Sequence, residues 1–181
     1  MNVVLDAVKI AVLVFVLAVL QVAATPQFTP FGGGPDLIVI LVVALALWRG
    51  VEAAAVAGFA GGLLLDAMLF QHLGMQSIVY IGCAWIVASY AHRREAGPGM
   101  LEPPPPPPLL WLIAGAATVQ VGNAILHVLL GSGVAADVIV WRQMVPSVLQ
   151  TTILALPLLP LIRRLFRPAS PLNRVHRVAP A

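Results

Sequence analysis

VEAAAVAGFAGGLLLDAMLF, residues 51–70, carries two carboxylates in twenty positions, and everything between Glu52 and Asp66 is apolar or glycine. A helix of that length climbs about 30 Å, the thickness of bilayer hydrocarbon, so the stretch reads as a membrane span. Within it Ala54, Gly58 and Gly62 recur every four residues and share one face. Asp66 continues that face and Gly61 adds a second small position beside it. Small residues at this spacing let another helix approach closely, held by van der Waals contact. That neighbour is either a helix of the same chain or a partner's helix. Asp66 stands shortly before Gln71 and His72. A carboxylate there is either solvated at the outer interface or hydrogen-bonded to loop backbone or a neighbouring helix.

The rest of the chain has the same character. Of 181 residues, 60% are hydrophobic and 9% charged, against about 25% charged in a soluble domain. The apolar residues form blocks divided by short polar breaks, which predicts an all-α integral membrane protein, a bundle of about six transmembrane helices. The spans fall at about 3–24, 36–48, 51–70, 73–91, 109–130 and 143–162, in one domain over 1–162. The first block also has the features of a signal peptide, with Ala23 and Ala24 resembling a cleavage site. A retained helix is the better reading, because Gln21 and Val22 continue its pattern and a multispanning chain needs no cleaved signal. The second block is short for a span, which leaves a re-entrant or partly buried segment as the alternative. Thr25 to Pro35, with three prolines and Gly32, Gly33 and Gly34, cannot continue a helix and reads as an extracytoplasmic loop.

Orientation follows from Lys and Arg, which gather on the cytoplasmic side. Lys9, Arg49, Arg93 and Arg94 fall at alternate breaks with the tail arginines Arg163, Arg164, Arg167, Arg174 and Arg177. Both termini are therefore expected in the cytoplasm, with a cytoplasmic proline-rich loop at 92–108 and a basic tail at 163–181. The tail suits anionic lipids, whereas no basic and aromatic groove points to nucleic acid. Pro103 to Pro108 forms a stiff polyproline II spacer. Pro157 and Pro160 remove backbone donors, so the last helix is expected to kink or end there. The one cysteine, Cys83, excludes a disulfide within the chain and reads as a small core residue.

Pro35 and Asp36 open the second block, where a carboxylate suits the free amides of a helix start. Arg49 and Glu52 flank Gly50 in a short turn and form at most a surface ion pair. Gln120, Asn123 and His127 share one face of the fifth span, and Ser147, Gln150, Thr151 and Thr152 lie on the sixth. These two polar faces either hydrogen-bond to each other or line a small polar pocket. One histidine without clustered carboxylates or further cysteines is too few ligands for a metal, and no cofactor is implied. No Ser, His and acid set, HExxH, phosphate loop or carboxylate pair indicates an enzyme.

The order of Pro35, Asp36 and Leu37, the apolar run ending in Trp48, Arg49 and Gly50, then Gly58, Phe59, Gly62, Leu63, Asp66 and Gly74, resembles the MreD family. That family is the small membrane subunit of the bacterial rod-shape and elongation machinery, and the likeness covers nearly the whole chain. The resemblance implies a noncatalytic protein of the bacterial cytoplasmic (inner) membrane. Its implied partners are the single-span protein MreC, the RodA glycosyltransferase and a class B transpeptidase of peptidoglycan synthesis. It also implies a fold similar to the S components of energy-coupling-factor vitamin transporters. The proline run and basic tail depart from the family pattern. Two functions therefore stand: an assembly subunit, with the Ala54, Gly58, Gly62 face and the loop from Phe31 to Asp36 receiving MreC's helix, or a vitamin-type substrate-binding component using the Gln120 face.

Overall fold

The computed structural model describes residues 3–24, 33–70, 72–93, 107–129 and 138–166. The loop before Gly33, the proline-rich stretch through Pro106 and the tail beyond Phe166 lie outside the described residues. Six helices follow in order: α1 (Val3–Ala24), α2 (Leu37–Trp48), α3 (Val51–Met68), α4 (Met75–Arg93), α5 (Pro108–Leu129) and α6 (Val138–Leu165). The described residues contain no strand. Segments of α1, α3, α5 and α6 are long and apolar enough to cross a membrane, while α2 and the apolar part of α4 are shorter. Large apolar side chains such as Val12, Phe59, Trp85, Val121 and Val145 are exposed on the outside of the bundle. That is the surface expected of a protein whose solvent is hydrocarbon.

The short second block becomes the centre of the molecule. Every residue from Leu37 to Ala46 is fully buried, and all five other helices pack against α2. A helix that is hydrophobic on all faces is stable only where all faces are covered. Its 12 residues rise about 18 Å, well short of the hydrocarbon thickness. Of the two readings of 36–48, a span or a partly buried segment, the burial favours the second: α2 is enclosed, with no side of that ten-residue stretch exposed on the outside of the bundle. Residues 33–36, which lead into it, are not helical, and Gly33 and Pro35 are buried. Irregular backbone at membrane depth is tolerated where protein surrounds it. At the other end the amides of Arg49 and Gly50 both donate to the Leu45 carbonyl. Gly50 then turns the chain with φ +93°, a conformation that glycine adopts without strain.

The small residues of α3 face inward. A β-carbon at Gly58 would sit 3.0 Å from the Tyr80 side chain, and one at Gly61 would sit 2.8 Å from Ile38. At Gly62 it would collide with the backbone of Ser77 and Gln76. Ala54 is fully buried as well. The stripe is therefore filled by α4 and α2 of the same chain, the first of the two readings of its spacing, and the reading in which it receives a partner's helix is corrected. Ser77 fastens the contact by donating its hydroxyl to the Phe59 carbonyl at 3.0 Å. Of the two expectations for the last helix, to kink or to end at its prolines, ending is excluded: α6 runs past Pro157 and Pro160 to Leu165. In a membrane bundle the carbonyls that proline frees can be satisfied by neighbouring groups, so proline ends helices less strictly than in water.

Candidate functional site

The polar groups of the bundle gather at the start of α2. A helix start leaves amide donors without intrahelical partners, and inside a bilayer bundle no bulk water replaces them. Here they are satisfied from several directions. The Leu37 and Ile38 amides donate to Gln21 Oε1 of α1 at 2.9 and 3.2 Å. Asp36 has extended backbone and caps the helix, its Oδ1 accepting from the Val39 amide at 3.2 Å. The Asp36 amide donates to Thr151 Oγ1 of α6 at 2.9 Å. Tyr80 of α4 donates its hydroxyl to the Asp36 carboxylate, 3.0 and 2.9 Å from its two oxygens. Ser147 of α6 donates to the Gly34 carbonyl at 2.8 Å and accepts from Gln120 Nε2 of α5. Side chains from α1, α4, α5 and α6 thus form a collar around one irregular segment.

A second, smaller cluster lies where α3 hands over to α4. Asp66 is fully buried, and its Oδ2 accepts from the amides of Gly74 at 2.7 Å and Gln76 at 3.2 Å. It therefore caps α4 across the turn instead of standing solvated at the interface. Asp66→Ala would leave both amides unpaired, a loss of about 1–3 kcal/mol. Asp66→Asn keeps an acceptor and should lose less, which thermal unfolding of the two variants in detergent checks.

At the opposite end of α2 the Arg49 guanidinium pairs with Asp6 of α1 at 3.0 Å. It also lies over the Phe166 ring, 5.5 Å from its centre. Arg49 thus joins the beginning of α1 to the end of α6, and its expected partner Glu52 is left out of the pair. Both ends of the described chain consequently lie at the Arg49 end of the bundle.

Of the residues singled out in the sequence, Pro35, Asp36, Gln120, Ser147 and Thr151 come together at the collar. Asn123 is half-buried farther along α5. The His127 side chain lies outside the described residues. Gln21 and Tyr80 were not singled out, though each offers a signal: a polar group within an apolar helix must find a partner. Among the described residues no three His, Cys, Asp or Glu side chains assemble as metal ligands. The collar matches donors to acceptors, which is the chemistry of a fastening. It holds a buried half-helix in register with four others.

The model of one protein family, described as rod shape-determining protein MreD, matches residues 1–169. No curated protein and no solved structure matches the chain. With the family model covering all six helices and ending just past α6, the chain belongs to the MreD family of rod shape-determining membrane proteins.

Proposed function

We propose that this protein is a noncatalytic assembly subunit of the cell-elongation complex. It binds MreC and supports the RodA glycosyltransferase and its class B transpeptidase in peptidoglycan synthesis. The observation that carries the reading is the family match over residues 1–169. The collar supports it, because Asp36, Tyr80, Gln120 and Ser147 are engaged with each other and with backbone instead of being held ready for a solute. What the bundle offers outward is an apolar surface suited to other membrane helices.

In this proposal the protein is a multi-pass component of the bacterial inner membrane, with residues 1–162 as one transmembrane domain. Both termini, the proline-rich loop and the Arg49 end face the cytoplasm, as the distribution of Lys and Arg favours. The basic tail at 163–181 rests on anionic lipid. The proposal includes a fold akin to the vitamin-transporter S components, which likewise have about six helices. A substrate-binding role in a vitamin-type transporter is the rival reading, and the Gln120, Asn123 and His127 face is its basis.

Affinity purification from the native membrane in mild detergent, followed by mass spectrometry of proteins and small molecules, separates the two. Recovery of a single-span MreC protein, with or without the synthases, is expected. Recovery of transporter ATPases or a stoichiometric vitamin, with no shape protein, would overturn the proposal.

A further inference from the structure

With α3's small stripe filled from within, a partner helix needs another seat, and the outer surface between α1 and α3 has the required form. A groove of about 280 Å³ runs there, its walls including Ala7 and Ala11 of α1 and Ala53, Val56 and Ala60 of α3. Four alanines on two adjacent helices keep the groove shallow-walled, so another helix can approach both backbones closely. Val56 is 66% exposed and Ala60 is exposed too, so the surface is open to the membrane.

One charge marks the groove. Glu52 lines its end nearest Arg49. Glu52 is exposed, and no hydrogen bond or ion pair engages its side chain among the described residues, because Arg49 is committed to Asp6 and Phe166. Lys9 is two residues from Ala7 and Ala11, on the opposite face of α1 by helical phase. The groove is thus an apolar trough ending, at the bundle's edge, in a carboxylate that no described side chain pairs. An anionic lipid headgroup would meet that carboxylate with repulsion. A single-span helix whose cytoplasmic flank carries Lys or Arg would instead bring the matching charge to it, and the same positive bias that orients membrane proteins supplies such a flank.

We propose that the α1–α3 groove is the docking seat for a single-span helix, its apolar body lying along Ala11, Val56 and Ala60 and a basic residue at its cytoplasmic end pairing with Glu52. The inference rests on the proposed binding of MreC and adds where that helix lies.

The test is disulfide crosslinking in native membranes. Cys83→Ala removes the single native thiol; Ala11→Cys, Val56→Cys and Ala60→Cys report on the groove, and Val121→Cys reports on a second apolar groove, between α4 and α5. MreC carries single cysteines stepped along its membrane helix. Crosslinks at the three groove positions and none at Val121 are expected. Glu52→Lys should lower MreC recovery about tenfold, a factor equal to about 1.4 kcal/mol, and reversing the basic residue in MreC to Glu should restore it. If MreC is captured but crosslinks at Val121 and not in the groove, or if Glu52→Lys recovers MreC fully, the seat is wrong while the partnership stands. If the unaltered chain captures no MreC, both the seat and the proposed function fail.

Discussion

Gly62→Leu is expected to prevent recovery of folded protein, and Gly62→Ala is expected to lower stability by about 3 kcal/mol or more, the upper end of overpacking costs. A β-carbon there meets the backbone of Ser77 and Gln76. Backbone cannot rotate away as a side chain can, so α3 and α4 must separate along the contact that Ser77 and Asp66 fasten. Gly82→Ala is the control, since nothing lies within 4 Å of its β-carbon. There alanine should be neutral or slightly stabilising, glycine being the poorer helix former by about 1 kcal/mol. Thermal unfolding in detergent, read by loss of monodisperse protein, compares Gly62→Ala and Gly82→Ala with the unaltered chain. Equal melting of Gly62→Ala and Gly82→Ala would mean that the close α3–α4 contact does not exist.

The second large effect is at the collar. Asp36→Ala removes the cap of α2, costing about 1 kcal/mol, and leaves the buried Tyr80 hydroxyl without its acceptor, costing about 1–3 kcal/mol. A total of roughly 2–4 kcal/mol is expected from those two losses. Their separation can be measured, because removing both members of a buried hydrogen bond costs less than removing one. Tyr80→Phe placed in the Asp36→Ala background should therefore raise the melting temperature, although Tyr80→Phe alone lowers it. A double variant less stable than Asp36→Ala would show that Tyr80 is held by something other than Asp36.

These expectations depend on features that were unequally legible in the sequence. The helices were legible because long apolar blocks need no tertiary information to be recognised, and α1 and α5 follow their blocks closely. The position of α2 was not, since a run such as Leu37 to Ala46 looks the same whether its neighbours are lipid tails or other helices. Only its shortness hinted that it was enclosed. The Ala54, Gly58, Gly62 stripe announced a close helix contact, but periodicity names a face and not the helix that covers it.

The charged pairs show the same division between local and distant information. Arg49 and Glu52 are neighbours in sequence, so a local reading joins them, yet the packing of α1 and α6 beside the end of α2 gives Arg49 to Asp6 and Phe166. Asp36 was legible as a cap because its partner amide lies three residues on. Its bond with Tyr80, 44 positions away, and the Gln21 bonds to α2 required the fold. Pro157 and Pro160 do not end α6 for a related reason: the rule that proline ends a helix is strongest in water, and α6 stands in a bundle.

The assembly account is tested most directly by depleting this protein in its own host while following cell shape and the uptake of small molecules. Cells are expected to widen and lose rod form, to regain it on expression of the unaltered chain, and to keep their uptake unchanged. Cells that keep their shape and lose uptake of one nutrient would contradict the assembly account.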